Sequence, residues 1–294
     1  MTQRWFQSIM APGGLSLPQY LSLLNRVRRR GPGWRERLRH PRSRPPCPER
    51  LGILGIMKNE SHLIDEWLDH CFFIGADRVF LIDNGSTDDT VAKVDRWLRG
   101  GRVELVSYPE QHQQQRHYWN AFTHFGIRDR CEWLAVADID EFWLCKSDET
   151  LASYLDRQSG HDALYVNWSM FGSSGLDAQP ESVRESLVMK DPKLARQTKC
   201  IFRTFLPVRE NDIEVHNICN ARPWRVKLAN RDLQLNHYAT QSRDYRFNVK
   251  LKRGDVFFTE MNMPEMTARF ARINAAATLT CTLMRDRVRA GVSP

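Results

Sequence analysis

The chain has no apolar run approaching the ~18 residues that a membrane span requires. Its opening stretch, MTQRWFQSIMAPGGLSL, has no unbroken hydrophobic segment of the kind a secretory leader carries. No two of its seven cysteines (Cys47, Cys71, Cys131, Cys145, Cys200, Cys219 and Cys281) are spaced CxxC, and their number is odd. That excludes a zinc knuckle, argues against a disulfide framework, and predicts reduced thiols in a soluble, cytoplasmic protein. No internal repeat occurs. The residues that are abundant are arginines, and they are unevenly placed. Residues 26–50 carry ten arginines against Glu36 and Glu49, so ten minus two accounts for the whole formal charge of +8. This Pro- and Arg-rich stretch has no apolar periodicity and reads as a solvated segment. Its functional reading is attachment to an anionic membrane surface, at ~1 kcal/mol per arginine near the surface. That would make the protein peripheral to the inner face of a membrane. No nucleic-acid module follows the segment, so no nucleic-acid partner is expected.

From residue 51 the pattern becomes regular. LGILGIM (51–57), RVFLID (78–83), RVELVSY (102–108) and EWLAVAD (132–138) have buried-strand length and composition. Between them lie amphipathic stretches: ESHLIDEWLDHCFFIG with one apolar face, Val91 to Leu98 with Ser86 and Asp88 as caps, and Gln113 to Ile127. Such alternation predicts an α/β fold with a mostly parallel sheet flanked by helices. Beyond Asp148 the strand-like pieces ALYVNWSMF, KCIFRTF, EVHNICN, WRVKL and LQLNHY read as mixed or antiparallel. Two helices, Arg243 to Arg253 and Pro264 to Arg289, are predicted to close the chain. The expected organisation is a basic segment at 1–50, a domain at 51–260, and a C-terminal helix in 261–294 packed on it.

In parallel sheets ligands bind beyond the carboxyl ends of the strands. Three polar clusters stand there: Lys58-Asn59-Glu60, Asp83-Asn84, and Asp138-Ile139-Asp140. Asp138 and Asp140, two apart, can face one side of the sheet. Two hard oxygen donors without Cys or His beside them suit Mn2+ or Mg2+, in a half-built site that nucleotide phosphates complete. Asp83 closes an apolar strand and can accept hydrogen bonds from a base or ribose. Asn59 and Glu60 are either ordinary helix-start residues or contacts to the same nucleoside.

The stretches MKNESHLIDEWLDHCFFIGADRVFLIDNGSTDDT, WLAVADIDEFW, NWSMFGSSG and NHYATQSRDYRFNVKLKRGD together resemble glycosyltransferase family 92 and its bacterial relatives, cousins of family 2. The resemblance covers roughly residues 51 to 255. It implies a GT-A-type, Rossmann-like fold with a mixed-strand acceptor side, and an inverting transfer from a nucleotide-sugar donor, usually a UDP-sugar. The acceptor would be a polysaccharide or glycolipid. It also implies a divalent metal, manganese or magnesium, on Asp138 and Asp140. His237 matches a late histidine that reaches the metal or diphosphate. Lys250 and Arg253, three apart on a predicted helix, would neutralise the leaving diphosphate or form a surface pair. Lys199 and His216 fit the pattern without an assigned role. Inversion needs a general base. In the loop after FGSSG, Glu185 agrees best with the family pattern, with a one-residue departure in spacing, and Asp177 is nearest the glycine turn. Glu181, Asp212 and Glu214 are further carboxylates in reach of the argument. The rival enzyme class, a nucleotidyltransferase, would need a Gly- and Arg/Lys-rich loop after the first strand, and GIMKNES is not one. A non-catalytic basic adaptor would leave the three polar rims without purpose.

Overall fold

The structure, a computed structural model, describes residues 47–110, 113–210, 212–250 and 263–291. Strand β1 (Glu49–Met57) lies between β2 (Arg78–Asp83) and β4 (Cys131–Val136), with β3 (Val103–Ser107) beyond β2. All three pairings are parallel. The alternation of strand and helix signals is therefore realised as the order β3-β2-β1-β4. In this order the chain reverses direction across the sheet between β1 and β4, and ligands of open α/β sheets bind outside such a point.

Helices α1 (Ile64–Phe73) and α2 (Thr90–Leu98) cover one face, and α3 (Gln114–His124) covers the other. In α1 the apolar residues recur at helical spacing, so Ile64, Trp67, Leu68 and Cys71 are all buried. They join Val94 of α2 in one core cluster, while Tyr118, Ala121 and Phe122 of α3 join the other. A Cβ at Gly55 would stand 2.8 Å from the Trp67 ring, so β1 needs glycine there. The Trp67 indole in turn donates to the Glu141 carbonyl at 3.1 Å, which ties α1 to the acidic turn. Gly126, at φ 60, ends the α3 segment before the short α4 (Ile127–Arg130), so the helix expected through Ile127 is two pieces.

The second half makes the sheet mixed. After β5 (Glu141–Cys145) come α5 (Leu151–Asp156), β6 (Ala163–Met170), α6 (Val183–Ser186), β7 (Met189–Lys190) and β8 (Thr198–Arg203). Then follow a 3-10 turn (Pro223–Arg225), β9 (Val226–Leu228), β10 (Leu233–His237) and a π-helical turn (Tyr245–Lys250). The sheet runs on from β4 as β8-β6-β10-β5, with β9 also on β6. β8 is antiparallel to β4 and β6, and β5 is antiparallel to β10. The α/β class and the mixed or antiparallel strands expected beyond Asp148 are both present.

Further expectations change. EVHNICN is not a strand; Ile213 and Ile218 form only an isolated bridge. The helix expected from Arg243 is present over its described part but winds as a π-helix from Tyr245 to Lys250, and Arg253 lies outside the described residues, as does the basic segment up to residue 46. The single helix over Pro264–Arg289 is α7 (Met263–Ala276) and α8 (Leu283–Arg289), parted by strand β11 (Leu279–Thr280) on β7. Leu279 and Thr280 gain ladder partners there, opposite Lys190 and Met189, and the Cys281 N–H donates to the Val188 carbonyl at 2.7 Å. Ser86 does not cap α2, because its hydroxyl accepts the Asn59 N–H at 3.1 Å; Asp88 accepts the Thr90 N–H at 3.0 Å.

Candidate active site

β4 stops where its apolar run meets Asp138, and the chain turns within four residues into β5. The turn closes on itself. The Glu141 N–H donates to the Asp138 carbonyl at 3.0 Å, and the Asp138 N–H donates to Glu141 Oε2 at 3.1 Å. Clustered, largely buried carboxylates need cations, and two lysines distant in sequence supply them. Lys199 of β8, wholly buried, places Nζ 2.9 Å from Asp138 Oδ2 and 3.2 Å from Glu141 Oε2. Lys250, from the π turn, places Nζ 3.0 Å from Asp140 Oδ2 and 3.3 Å from the Ala239 carbonyl. His237, the last residue of β10, stands with Nε2 3.3 Å from Asp140 Oδ1.

Burial alone would raise the pKa of Asp140, but the Lys250 ammonium and then His237 outweigh it, holding the carboxyl well below the usual range. Glu141 goes the other way. Its burial is complete, Lys199 offsets only part of that penalty, and the neighbouring Asp138 and Asp140 charges add to it, so its pKa is raised. Burial would lower the pKa of Lys199, and the attraction of Asp138 and Glu141 raises it instead. Tyr118 of α3, whose hydroxyl accepts from Gln114 Nε2 at 2.8 Å, is pushed up by burial and by the Asp138 charge.

Trp168 of β6 stands between two histidines, with ring centroids 4.1 Å from His237 and 5.0 Å from His216. Burial and Lys199 lower the pKa of His216, whose Nδ1 donates to the Thr198 carbonyl at 3.0 Å. Lys199, His216 and His237 therefore gather round the acids.

The β1 and β2 rims are joined to each other. Asn59, at φ 53, an αL position that asparagine tolerates, accepts from the N–H groups of Thr87 at 2.7 Å and Asp88 at 3.3 Å. The Glu60 N–H donates to Thr90 Oγ1 at 2.7 Å. Asp83 is buried and accepts the Ser86 N–H at 3.1 Å. Asn84 Nδ2 donates to the carbonyls of Tyr108 at 2.6 Å and Glu110 at 3.0 Å. These side chains build the loops at the strand ends.

The two leading base candidates have different surroundings. Asp177 is exposed, and its loop is bound to the segment between His237 and Lys250: the Asp244 N–H donates to the Asp177 carbonyl at 2.9 Å, and Gln179 pairs with Gln241 at 2.7 Å. Glu185 lies on α6 and is held by Arg289 of α8 at 2.8 Å. Asp212 is buried and accepts from Arg209 N–H and Asn220 Nδ2 within its own turn. Sequence spacing assigns Glu141 no role and leaves that of Lys199 open. The readable signal is a lysine inside the buried run TKCIFR, where a charge must find a partner.

The donor set fits a hard divalent cation. Asp138 Oδ1 is buried and has no hydrogen-bond partner, which leaves one carboxylate oxygen for a further ligand. Among the described residues no three His, Cys, Asp or Glu side chains form a metal-holding group. Magnesium-type sites rarely need one, since one or two carboxylates and substrate phosphates complete the shell.

Comparison with known proteins adds the family. The sequence model of glycosyltransferase family 92 matches residues 55–274. A family 92 protein of Arabidopsis thaliana is 25% identical over 225 residues, covering 69% of this chain and 37% of the relative. The galactan beta-1,4-galactosyltransferase of the same plant is 28% identical over 168 residues, covering 50% and 34%. The chain thus spans about a third of the length of these two relatives. Among solved structures, S. aureus TarS is similar at a TM-score of 0.42 and 14% identity, covering 76% of this chain and 43% of that one. Among the described residues no helix is long and apolar enough to cross a membrane. With the family pattern running from the first strand to α7, the chain belongs to glycosyltransferase family 92.

Proposed function

We propose that this chain is a metal-dependent, inverting glycosyltransferase that moves a hexosyl group from a UDP-sugar to a glycan or glycolipid acceptor. The observation that carries the reading is the acidic turn Asp138–Glu141 at the sheet's switch point, with Lys250 and His237 on Asp140 and Lys199 on Asp138. Asp138 and Asp140, joined by His237, would hold Mn2+ or Mg2+. The metal would supply positive charge to the departing diphosphate. Lys250 adds a second, fixed cation where negative charge grows, and a charge held in a partly dry site stabilises more than it would in water. Asp83 faces the nucleoside end, with Asn59, Glu60 and Asn84 fixing the loops beside it. Asp177 takes the proton from the acceptor hydroxyl, because its loop is bound to the segment that bears the cations, whereas Glu185 is already neutralised by Arg289.

The name of the galactan galactosyltransferase states hexosyl transfer to a glycan for that protein, and the same class of acceptor suits this one. The arginines of residues 26–50 would hold the domain, delimited as residues 51–260 with the C-terminal helices packed on it, at an anionic membrane surface. Sedimentation with anionic vesicles, lost at high salt, would support that part. The function itself is tested by a panel of nucleotide sugars, with and without MnCl2, read first as thermal stabilisation and then as release of nucleoside diphosphate. A UDP-sugar should stabilise and be turned over only with metal. No response to any uridine nucleotide would contradict the proposal.

A further inference from the structure

Lys199 does not resemble the other cations of the site. Its ammonium is wholly buried and is divided between two carboxylates, Asp138 Oδ2 at 2.9 Å and Glu141 Oε2 at 3.2 Å. Glu141 is equally buried, and the same Oε2 also accepts the Asp138 N–H at 3.1 Å. Asp138 is therefore gripped at its backbone and at one carboxylate oxygen by a single buried pair. Its other oxygen, Oδ1, is buried without a hydrogen-bond partner, and its side chain keeps 30% exposure where Lys199 and Glu141 keep none. A lysine that only balanced charge could sit in solvent, as Lys93 does against Asp65 with 42% of its side chain exposed.

We propose that Lys199, braced by Glu141, is the positioning residue of the metal site: it takes up Asp138 Oδ2 and so fixes Oδ1 as the oxygen that meets the cation. The inference rests on the functional reading of Asp138 and Asp140 given above. Residues that orient a metal ligand act through it, and their loss costs ~10–100-fold in metal affinity. Lys199 is wholly buried against the two carboxylates. Its effect is confined to where the Asp138 carboxylate stands and which of its oxygens is free.

The test uses Lys199→Met combined with Glu141→Gln. Both buried charges are removed together, so neither is left uncompensated, and such replacements are commonly tolerated. The amide oxygen introduced by Glu141→Gln keeps an acceptor for the Asp138 N–H. Mn2+ affinity in the presence of UDP, UDP affinity in EDTA, and the melting temperature are measured for this variant and for wild type. The expected result is a melting temperature close to wild type, unchanged metal-free UDP affinity, and Mn2+ affinity lower by ~10–100-fold. Unchanged Mn2+ affinity in the folded variant would reduce Lys199 to a structural charge and overturn the inference. A parallel loss of metal-free UDP affinity would overturn it too, since the whole site would then have moved. If the Met variant does not fold, Lys199→Gln with Glu141→Gln, whose amides can hydrogen-bond each other, carries the same comparison. Unfolding of both would assign the pair to the folding core and reject the positioning role. Wild type that binds no Mn2+ with UDP would instead contradict the functional reading itself, a separate outcome from equal binding by wild type and variant.

Discussion

Lys250 and Asp140, 110 residues apart in the chain, meet with Nζ 3.0 Å from Oδ2. The contact joins the turn after β4 to the π-helical segment after β10. It also outweighs the burial of Asp140 and holds that carboxyl well below the usual range.

That relationship predicts the phenotype of Lys250→Met. Turnover of the donor found by the nucleotide-sugar panel should fall by ~10²-fold or more, the usual cost of removing one fixed group from developing negative charge. The melting temperature should fall as well, because Asp140 is left buried with His237 alone. Steady-state kinetics and a thermal scan measure the two effects. Wild-type turnover in the variant would return Lys250 to a structural counter-ion.

The two acids of the FGSSG loop are separated by a paired substitution. Asp177→Asn should cut turnover by ~10²–10⁴-fold, the range of general-base loss, with UDP affinity unchanged. Glu185→Gln should leave turnover near wild type and cost at most ~1 kcal/mol of stability, as expected of its partly exposed pair with Arg289. The reverse outcome, an inactive Glu185→Gln and an active Asp177→Asn, would hand the base to the residue that the family pattern favours. Activity in both variants would move the search to Asp212 and Glu214.

His70 predicts a pH dependence unconnected with catalysis. Its Nε2 donates to the Trp143 carbonyl at 2.7 Å. Burial first, and the Arg184 charge second, lower its pKa from 6.5 to about 3. Below 6.5 the unfolded chain takes up a proton here that the folded chain refuses until about 3. The stability contributed by the neutral ring is therefore complete above pH 6.5 and is lost as pH falls through that window, at up to ~1.4 kcal/mol per pH unit. His70→Gln keeps a donor for Trp143 and removes the titration. Urea unfolding across ~pH 7 to 5 should show a flatter slope for the variant. Identical slopes would mean that His70 is not the group responsible.

What could be read in the sequence follows a physical division. RVFLID became β2 with the same ends, Arg78–Asp83, because a buried parallel strand is a local apolar run bounded by polar residues. The acids at the strand ends were legible for the same reason. Their cations were not. Lys199 and Lys250 stand 61 and 110 residues from the carboxylates they neutralise, and nothing in local spacing encodes a pairing made by sheet order. β5 escaped because EFWLC follows acids read as the end of β4, with no Gly or Pro to mark a new start. The break at Leu279–Thr280 is a tertiary effect, in which pairing with β7 overrides a helical pattern. Glu185 fitted a sequence pattern, but its partner, Arg289, comes from the far end of the chain.

The central claim is that Asp138 and Asp140 couple a divalent metal to the donor's diphosphate. Calorimetric titration with UDP, in MnCl2 and in EDTA, measures that coupling directly. Wild type should bind UDP more tightly with manganese. Asp138→Asn and Asp140→Asn, both still folded by circular dichroism, should each lose the manganese-dependent gain while keeping the affinity seen in EDTA. A wild type with no such gain, or variants that retain it in full, would contradict the account.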